Sequence, residues 1–237
     1  MTRFFRHIQF RFGTERKLSA YLIYAAGEIF LLVIGILLAL QINNWNSNRK
    51  DREAAIKAYQ NISQQLTEDR NELISVRDFN NYYSARYERA SELIAGHAAE
   101  KTDSIAILIM ELSQYSDFHR SENIYETLVN SGSIKLLKNS NITSALQKLE
   151  MTYTSINKLE DIHWEIILNE LYPEIRGVIN YATLEIVKPD RLRSVEIQNF
   201  LVESIYLTKA KELVYNKAIN EIDTLGDEIA KELNHKN

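Results

Sequence analysis

The sequence predicts an all-α protein: a single transmembrane helix continuing into a long heptad-patterned helix, packed in a bundle of four to five helices. Three observations predict it. Only seven Gly and two Pro occur in 237 residues, too few breakers for the frequent turns of a β-sandwich or an α/β sheet. Residues 21–42 form an apolar run holding a single charge, which matches the ~20 residues needed to cross ~30 Å of hydrocarbon. Beyond that run, apolar residues recur at heptad spacing over five repeats, the seam of packed helices.

Residues 1–19 are read as a basic cytoplasmic segment. Phe4, Phe5, Ile8 and Phe12 fall on one helical face with Arg3, Arg6 and Arg11 around the rest, the pattern of an interfacial helix on anionic lipid. Residues 20–45 follow as an uncleaved signal anchor. Tyr21 and Tyr24 at one end and Trp45 at the other fit an aromatic belt. A cleaved signal peptide would have a shorter apolar core and a small-residue cleavage site, whereas this run ends in Gln41-Ile42-Asn43-Asn44-Trp45. Five Lys/Arg precede the span, and Arg49, Lys50, Arg52 and Lys57 follow it. The positive-inside rule therefore favours a cytoplasmic N-terminus and an extracytoplasmic domain, the periplasm if the cell is bacterial.

Residues 46–237 are the expected helical domain. Tyr59, Leu66, Leu73, Asn80, Tyr87 and Ile94 recur every seven residues, with Ile62, Asp69, Val76, Tyr83 and Ala90 three later. A helix from 50 to 95 would be ~70 Å long at ~1.5 Å per residue, ending near Gly96-His97. Residues 103–115 read as a buried helix opening at Asp103 or Ser104. Ser121 is the expected cap of a helix holding Tyr125, Leu128 and Val129, which stops at Gly132. Ser140 starts a long helix with Ile142, Leu146, Leu149, Tyr153 and Ile156 on one face, kinked or ended by Pro173. Lys188-Pro189-Asp190 reads as a loop. Ser194 caps the last helix, whose stripe is Ile197, Leu201, Ile205, Tyr215, Ile219, Ile222 and Ile229.

Composition excludes several chemistries. The chain has no cysteine, so disulfides, thiolate metal sites and Cys nucleophiles are out. Residues 46–237 carry 23 Lys/Arg against 30 Asp/Glu, a poor surface for nucleic acid, which needs clustered cations. Asp117-x-His119 and His163-x-Glu165 each offer two metal-ligand types, but no HExxH or paired set completes a site. The histidines at 7, 97, 119, 163 and 235 therefore read as surface or capping residues. No catalytic, cofactor or metal residues are assigned. Asp69, polar within the seam, reads as a register or oligomer determinant.

Glu28 is the informative residue. A central acidic group costs roughly 2.5–3.5 kcal/mol on insertion scales and needs a reason. A partner helix, an ion or proton path, or a protonated carboxyl bonding locally to Tyr24 would each supply one. Gly35-xxx-Ala39 is a small-xxx-small pair that admits close helix approach. The expected function is accordingly a membrane-anchored interaction or scaffold protein, an accessory subunit of a membrane complex or self-associating, which binds through its anchor at Glu28, Gly35 and Ala39 and through the seam of its heptad stalk. The alternatives are a sensory or ligand-binding bundle signalling laterally, and a proton-coupled subunit built on Glu28.

Gly27-Glu28-Ile29 together with the run from Val33 through Leu40-Gln41-Ile42-Asn43-Asn44-Trp45-Asn46 resembles the hallmark of an uncharacterised family of single-span proteins of Gram-negative bacteria. Lys17-Leu18-Ser19-Ala20-Tyr21-Leu22 and the stretch from Ile124 to Leu137 (IYETLVNSGSIKLL) fit it too. The resemblance implies an uncleaved inner-membrane protein with a helical extracytoplasmic domain. It brings no activity and no catalytic residue.

Overall fold

The computed structural model describes residues 17–96, 102–120 and 123–236. The basic amphipathic segment, His97 and the Ser121 cap lie outside them. The chain divides into two compact units, residues 1–54 and 55–237, and α1 (Lys17–Ala95) contributes to both.

In the first unit α1 is helical from Lys17 onward. An 18-residue window of it reaches a mean hydropathy of 2.4, and none of that window is buried by the chain. Among the described residues this is the one helix long and apolar enough to cross a membrane, by length and composition.

The second unit is essentially all-α. Three long helices form its frame: α1 from residue 55, α4 (Ser140–Ile166) and α6 (Val195–Lys236). Polar contacts give their directions. Arg70 meets Asp223 at 2.6 Å and Lys209 meets Glu88 at 2.7 Å, so α6 runs antiparallel to α1. Tyr153 donates to Asp69 at 3.0 Å, and Thr152 to Glu221 at 2.7 Å. With Asn139 donating to Glu232, α4 runs parallel to α1 and antiparallel to α6. Such exposed ion pairs add under ~1 kcal/mol each but mark the register.

Burial follows the heptads. Tyr59, Ile62, Leu66 and Leu73 of α1 pack with Ile142, Leu146 and Leu149 of α4 and Ile219, Ile222 and Ile229 of α6. A second cluster joins Tyr87, Ala90 and Ile94 to Ile109 and Leu112, to Leu171, and to Phe200 and Leu201. At roughly 1.5–3 kcal/mol per buried aliphatic or aromatic side chain, these two clusters supply the main driving force.

The shorter elements modify the expected outline. α2 (Thr102–Glu111) ends earlier than residue 115. Just past its end the Tyr87 hydroxyl of α1 donates to Leu112 O and Gln114 O, and Ser116 and Phe118 bond to side chains across the bundle instead of extending the helix. α3 (Ile124–Asn130) is capped by Asn123, whose side-chain oxygen accepts from the Glu126 backbone amide at 2.9 Å while its side-chain NH2 donates to the Glu126 carboxylate at 3.1 Å. Gly132 follows at φ 71°, a left-handed position where a Cβ is strained. The cap of α4 is Asn139, one residue before the expected Ser140. After Ile166 the hydrogen bonding widens to π over Ile167–Leu171, the Tyr172 amide reaching back to Ile167 O. α5 (Tyr172–Ile175) then carries Pro173 in its first turn, directly after the widened turn where the ordinary four-residue bonding is already interrupted. A two-residue antiparallel ladder, β1 (Ile179–Asn180) with β2 (Glu185–Ile186), was not expected. Pro189 opens a short 3₁₀ turn in place of a plain loop. Ser194 caps α6 as predicted, accepting from the Ile197 amide at 3.3 Å.

Candidate functional site

Two places concentrate residues that packing alone does not explain, one in each unit.

In the first unit, Glu28, Gly35 and Ala39 lie on one helical face, at the seven- and four-residue spacings that return to the same side of an α-helix. All three are uncovered by the chain itself. A Cβ built on Gly35 would meet no heavy atom within 4 Å, so the chain's own packing does not require glycine there. Tyr21 and Trp45 are largely exposed while Tyr24 is half-buried, and Arg49 sits over the Trp45 ring at 5.9 Å.

In the second unit a polar layer lies inside the bundle, between the two apolar clusters. The heptad of α6 produces it. Its inward positions step 197, 201, 204, 208, 211, 215, 218, 222, and the middle of that series is Ser204, Thr208 and Lys211, all buried. α4 supplies Glu160 and His163, α1 supplies Asn80 and Ser84, and the chain after α2 supplies Ser116. Lys211 Nζ is 3.0 Å from His163 Nδ1. The Tyr215 hydroxyl donates to Glu160 Oε1, which also accepts from the Phe118 amide at 3.0 Å. The Ser116 hydroxyl lies 2.9 Å from the Tyr215 hydroxyl and 3.2 Å from Asn80 Oδ1, and Asn80 donates to Thr208 O at 2.9 Å.

Burial sets the charge states. It pushes the Glu160 carboxyl up to about 7, against stabilisation of the anion by Tyr215, Phe118 and Lys211. Burial pulls Lys211 down to about 8 and His163 down to about 3, the latter helped by Lys211. Neutral His163 therefore accepts at Nδ1 and carries its proton on Nε2, which has no partner. Glu160 Oε2 is likewise unpartnered.

The seam residues are placed as follows. Tyr59, Ile62, Leu66, Asp69 and Leu73 are buried, and Val76 and Tyr83 half-buried, against α4, α6 and their connections within the same chain. Asp69 bonds to Tyr153 of its own chain and leaves Oδ1 unpartnered. Burial raises its carboxyl to about 6.

The histidines divide. His119 is exposed and 3.4 Å from Asp117. His163 is not the surface or capping residue expected of it. It is fully buried, between the rings of Tyr87 and Tyr115, while Glu165 is exposed, so that pair does not converge. His7 and His97 lie outside the described residues. Among the described residues no three His, Cys, Asp or Glu side chains gather as metal ligands would. Lys211 was missed because a hydropathy stripe passes from Ile205 to Tyr215 without it. Its heptad position was the available signal.

A family model described as "Family of unknown function (DUF6090)" matches residues 28–210, and the chain belongs to that family. Neither the curated proteins nor the solved structures include a match.

Proposed function

We propose that this family member is a membrane-anchored interaction protein, an accessory or scaffold subunit whose apolar helix docks on another transmembrane helix through Glu28, Gly35 and Ala39. The carrying observation is that the apolar window of α1 is wholly uncovered by its own chain while holding an acidic side chain. In hydrocarbon that carboxyl gains a hydrogen-bond partner on a neighbouring helix, and the small residues let the two backbones approach. The heptad seam of the second unit is already filled by α4 and α6, which moves the docking surface away from it. The anchor lies in the inner membrane of a Gram-negative bacterium, with residues 1–19 cytoplasmic and the helical domain in the periplasm. No catalytic role, cofactor or nucleic-acid partner is assigned.

Purification of the tagged full-length chain from its own membranes in mild detergent, with mass spectrometry, tests this. A stoichiometric membrane protein, or a second copy, retained by Glu28→Gln and lost from Glu28→Leu is the expected result. Unchanged recovery from Glu28→Leu overturns the docking role.

A sensory bundle signalling laterally is the second reading, and one observation favours it: Glu160 and Lys211 are both buried inside the bundle, where burial pushes the carboxyl up to about 7 and pulls the ammonium down to about 8. Proteolysis of the full-length chain between pH 6 and 9 tests it, since a sensor changes its cleavage pattern across that interval and a static scaffold does not.

A further inference from the structure

α6 reverses the usual inside–outside pattern over one stretch. Inward, Ser204, Thr208 and Lys211 are polar and buried. Outward, Val195, Val202, Tyr206 and Leu213 are apolar and between 48% and 72% exposed. Their spacings of seven, four and seven keep them in one stripe on the solvent side, ~27 Å long at ~1.5 Å per residue. Breaches of binary patterning of this kind collect where a sequence serves something besides its own fold.

We propose that this outer face of α6 is a homotypic interface, on which a second copy of the chain lays its own α6 in parallel. The stripe continues the heptad of the helix, so two copies mesh with Val202 opposite Val202 and Tyr206 opposite Tyr206. Asn199 occupies the seam between Val195 and Val202, the kind of polar position that favours a defined register in paired helices. Lys209 would break the stripe, but Glu88 of its own α1 holds it at 2.7 Å toward the bundle. Charge selects the direction. In parallel pairing Glu212, which accepts from Asn81 of its own α1 at 3.1 Å through Oε1, has Oε2 left for Lys217 of the other copy, five residues on, and Gln198 stands to Glu203 in the same relation. In antiparallel pairing centred on the stripe Glu203 meets Glu203. The interface does not rest on the Glu28 docking surface, and it stands or falls separately.

The chain has no cysteine, so single substitutions report contacts cleanly. Val202→Cys and Tyr206→Cys in the full-length protein in native membranes, oxidised with copper phenanthroline, should each give a disulfide-linked dimer of twice the chain mass. Met151→Cys, exposed on α4, should not. Running the set in a Glu28→Leu background separates the two interfaces, the α6 crosslink surviving there. Absence of the dimer at both 202 and 206, a dimer only between 195 and 213, an adduct with another protein, or equal crosslinking at 151 overturns the proposal. Tyr206→Lys, at an exposed position that leaves folding intact, should reduce crosslinking at 202 several-fold, and no reduction counts against it.

Discussion

At the scale of single residues, the buried carboxyls make the clearest predictions. Asp69 sits where a heptad predicts an apolar side chain, and burial raises its pKa from 3.8 to about 6. A raised folded-state pKa means that the contribution to stability is complete below about pH 4 and disappears as pH rises through 6. Asp69→Asn keeps an acceptor for the Tyr153 hydroxyl and removes the charge. Its advantage over the parent chain should be near zero at pH 4 and grow to at most about 3 kcal/mol by pH 7.5, measured by denaturation of the full-length protein in detergent. An equal loss at every pH would contradict this. Lys211 behaves oppositely. Its pKa is lowered, so its contribution is complete above about 10.5 and disappears as pH falls through 8. Lys211→Met deprives His163 of its donor and should cost about 1–3 kcal/mol near pH 10.5, and less at pH 7.5, where burial of the ammonium offsets the lost hydrogen bond. Combined with Glu160→Gln it should cost less than the sum of the two, because the groups share one network. Asp69 was legible as an anomaly in an apolar seam. Lys211 and His163 were not, because burial of a cation is decided by partners on other helices that no single segment displays.

At the scale of elements, repetition was easier to read than punctuation. The α1 seam from Tyr59 to Ile94 is an extended periodic signal, and the structure buries most of it. The cap of α4 fell one residue away because Asn139 and Ser140 are both competent caps, and a contact 93 residues away decides between them: Asn139 donates to Glu232 at 2.8 Å while accepting from the Asn141 amide at 3.0 Å. Asn139→Ala should therefore cost about 1–2 kcal/mol, as strong caps do, whereas Ser140→Ala should change stability by less than about 0.5 kcal/mol, as exposed substitutions do. Equal effects in a chemical melt would mean that the tie to α6 carries no weight. The π stretch before Pro173 illustrates the same limit. Proline announces that ordinary helix bonding fails nearby, but whether the chain stops, kinks or widens depends on packing. Here Ile167 and Leu171 are fully buried, so the widened turn keeps both side chains in the second cluster.

At the scale of the whole molecule, the membrane assignment rests on hydropathy, a local property, while orientation rests on a small difference in charge. Five basic residues precede the apolar run and four follow it closely, and the acidic residues interleaved with the second group count for little in that balance. If the positive-inside rule sets the topology, Arg3→Ala, Arg6→Ala and Arg11→Ala together leave two basic residues against four and should invert a large share of the chains. Met151→Cys gives the readout, since the position is exposed in the second unit and the chain has no other thiol. With the native N-terminus, a membrane-impermeant maleimide should label it from the periplasmic side without lysis. In the triple variant, labelling of intact cells should fall while labelling after lysis stays constant. Unchanged labelling would show that folding of the acidic domain on the far side, rather than the five basic residues, holds the orientation, because domains of this length translocate largely regardless of flanking charge. Labelling confined to lysed cells in both proteins would place the helical domain in the cytoplasm, and the Glu28 face would then have to be sought by partners inserted in the opposite sense.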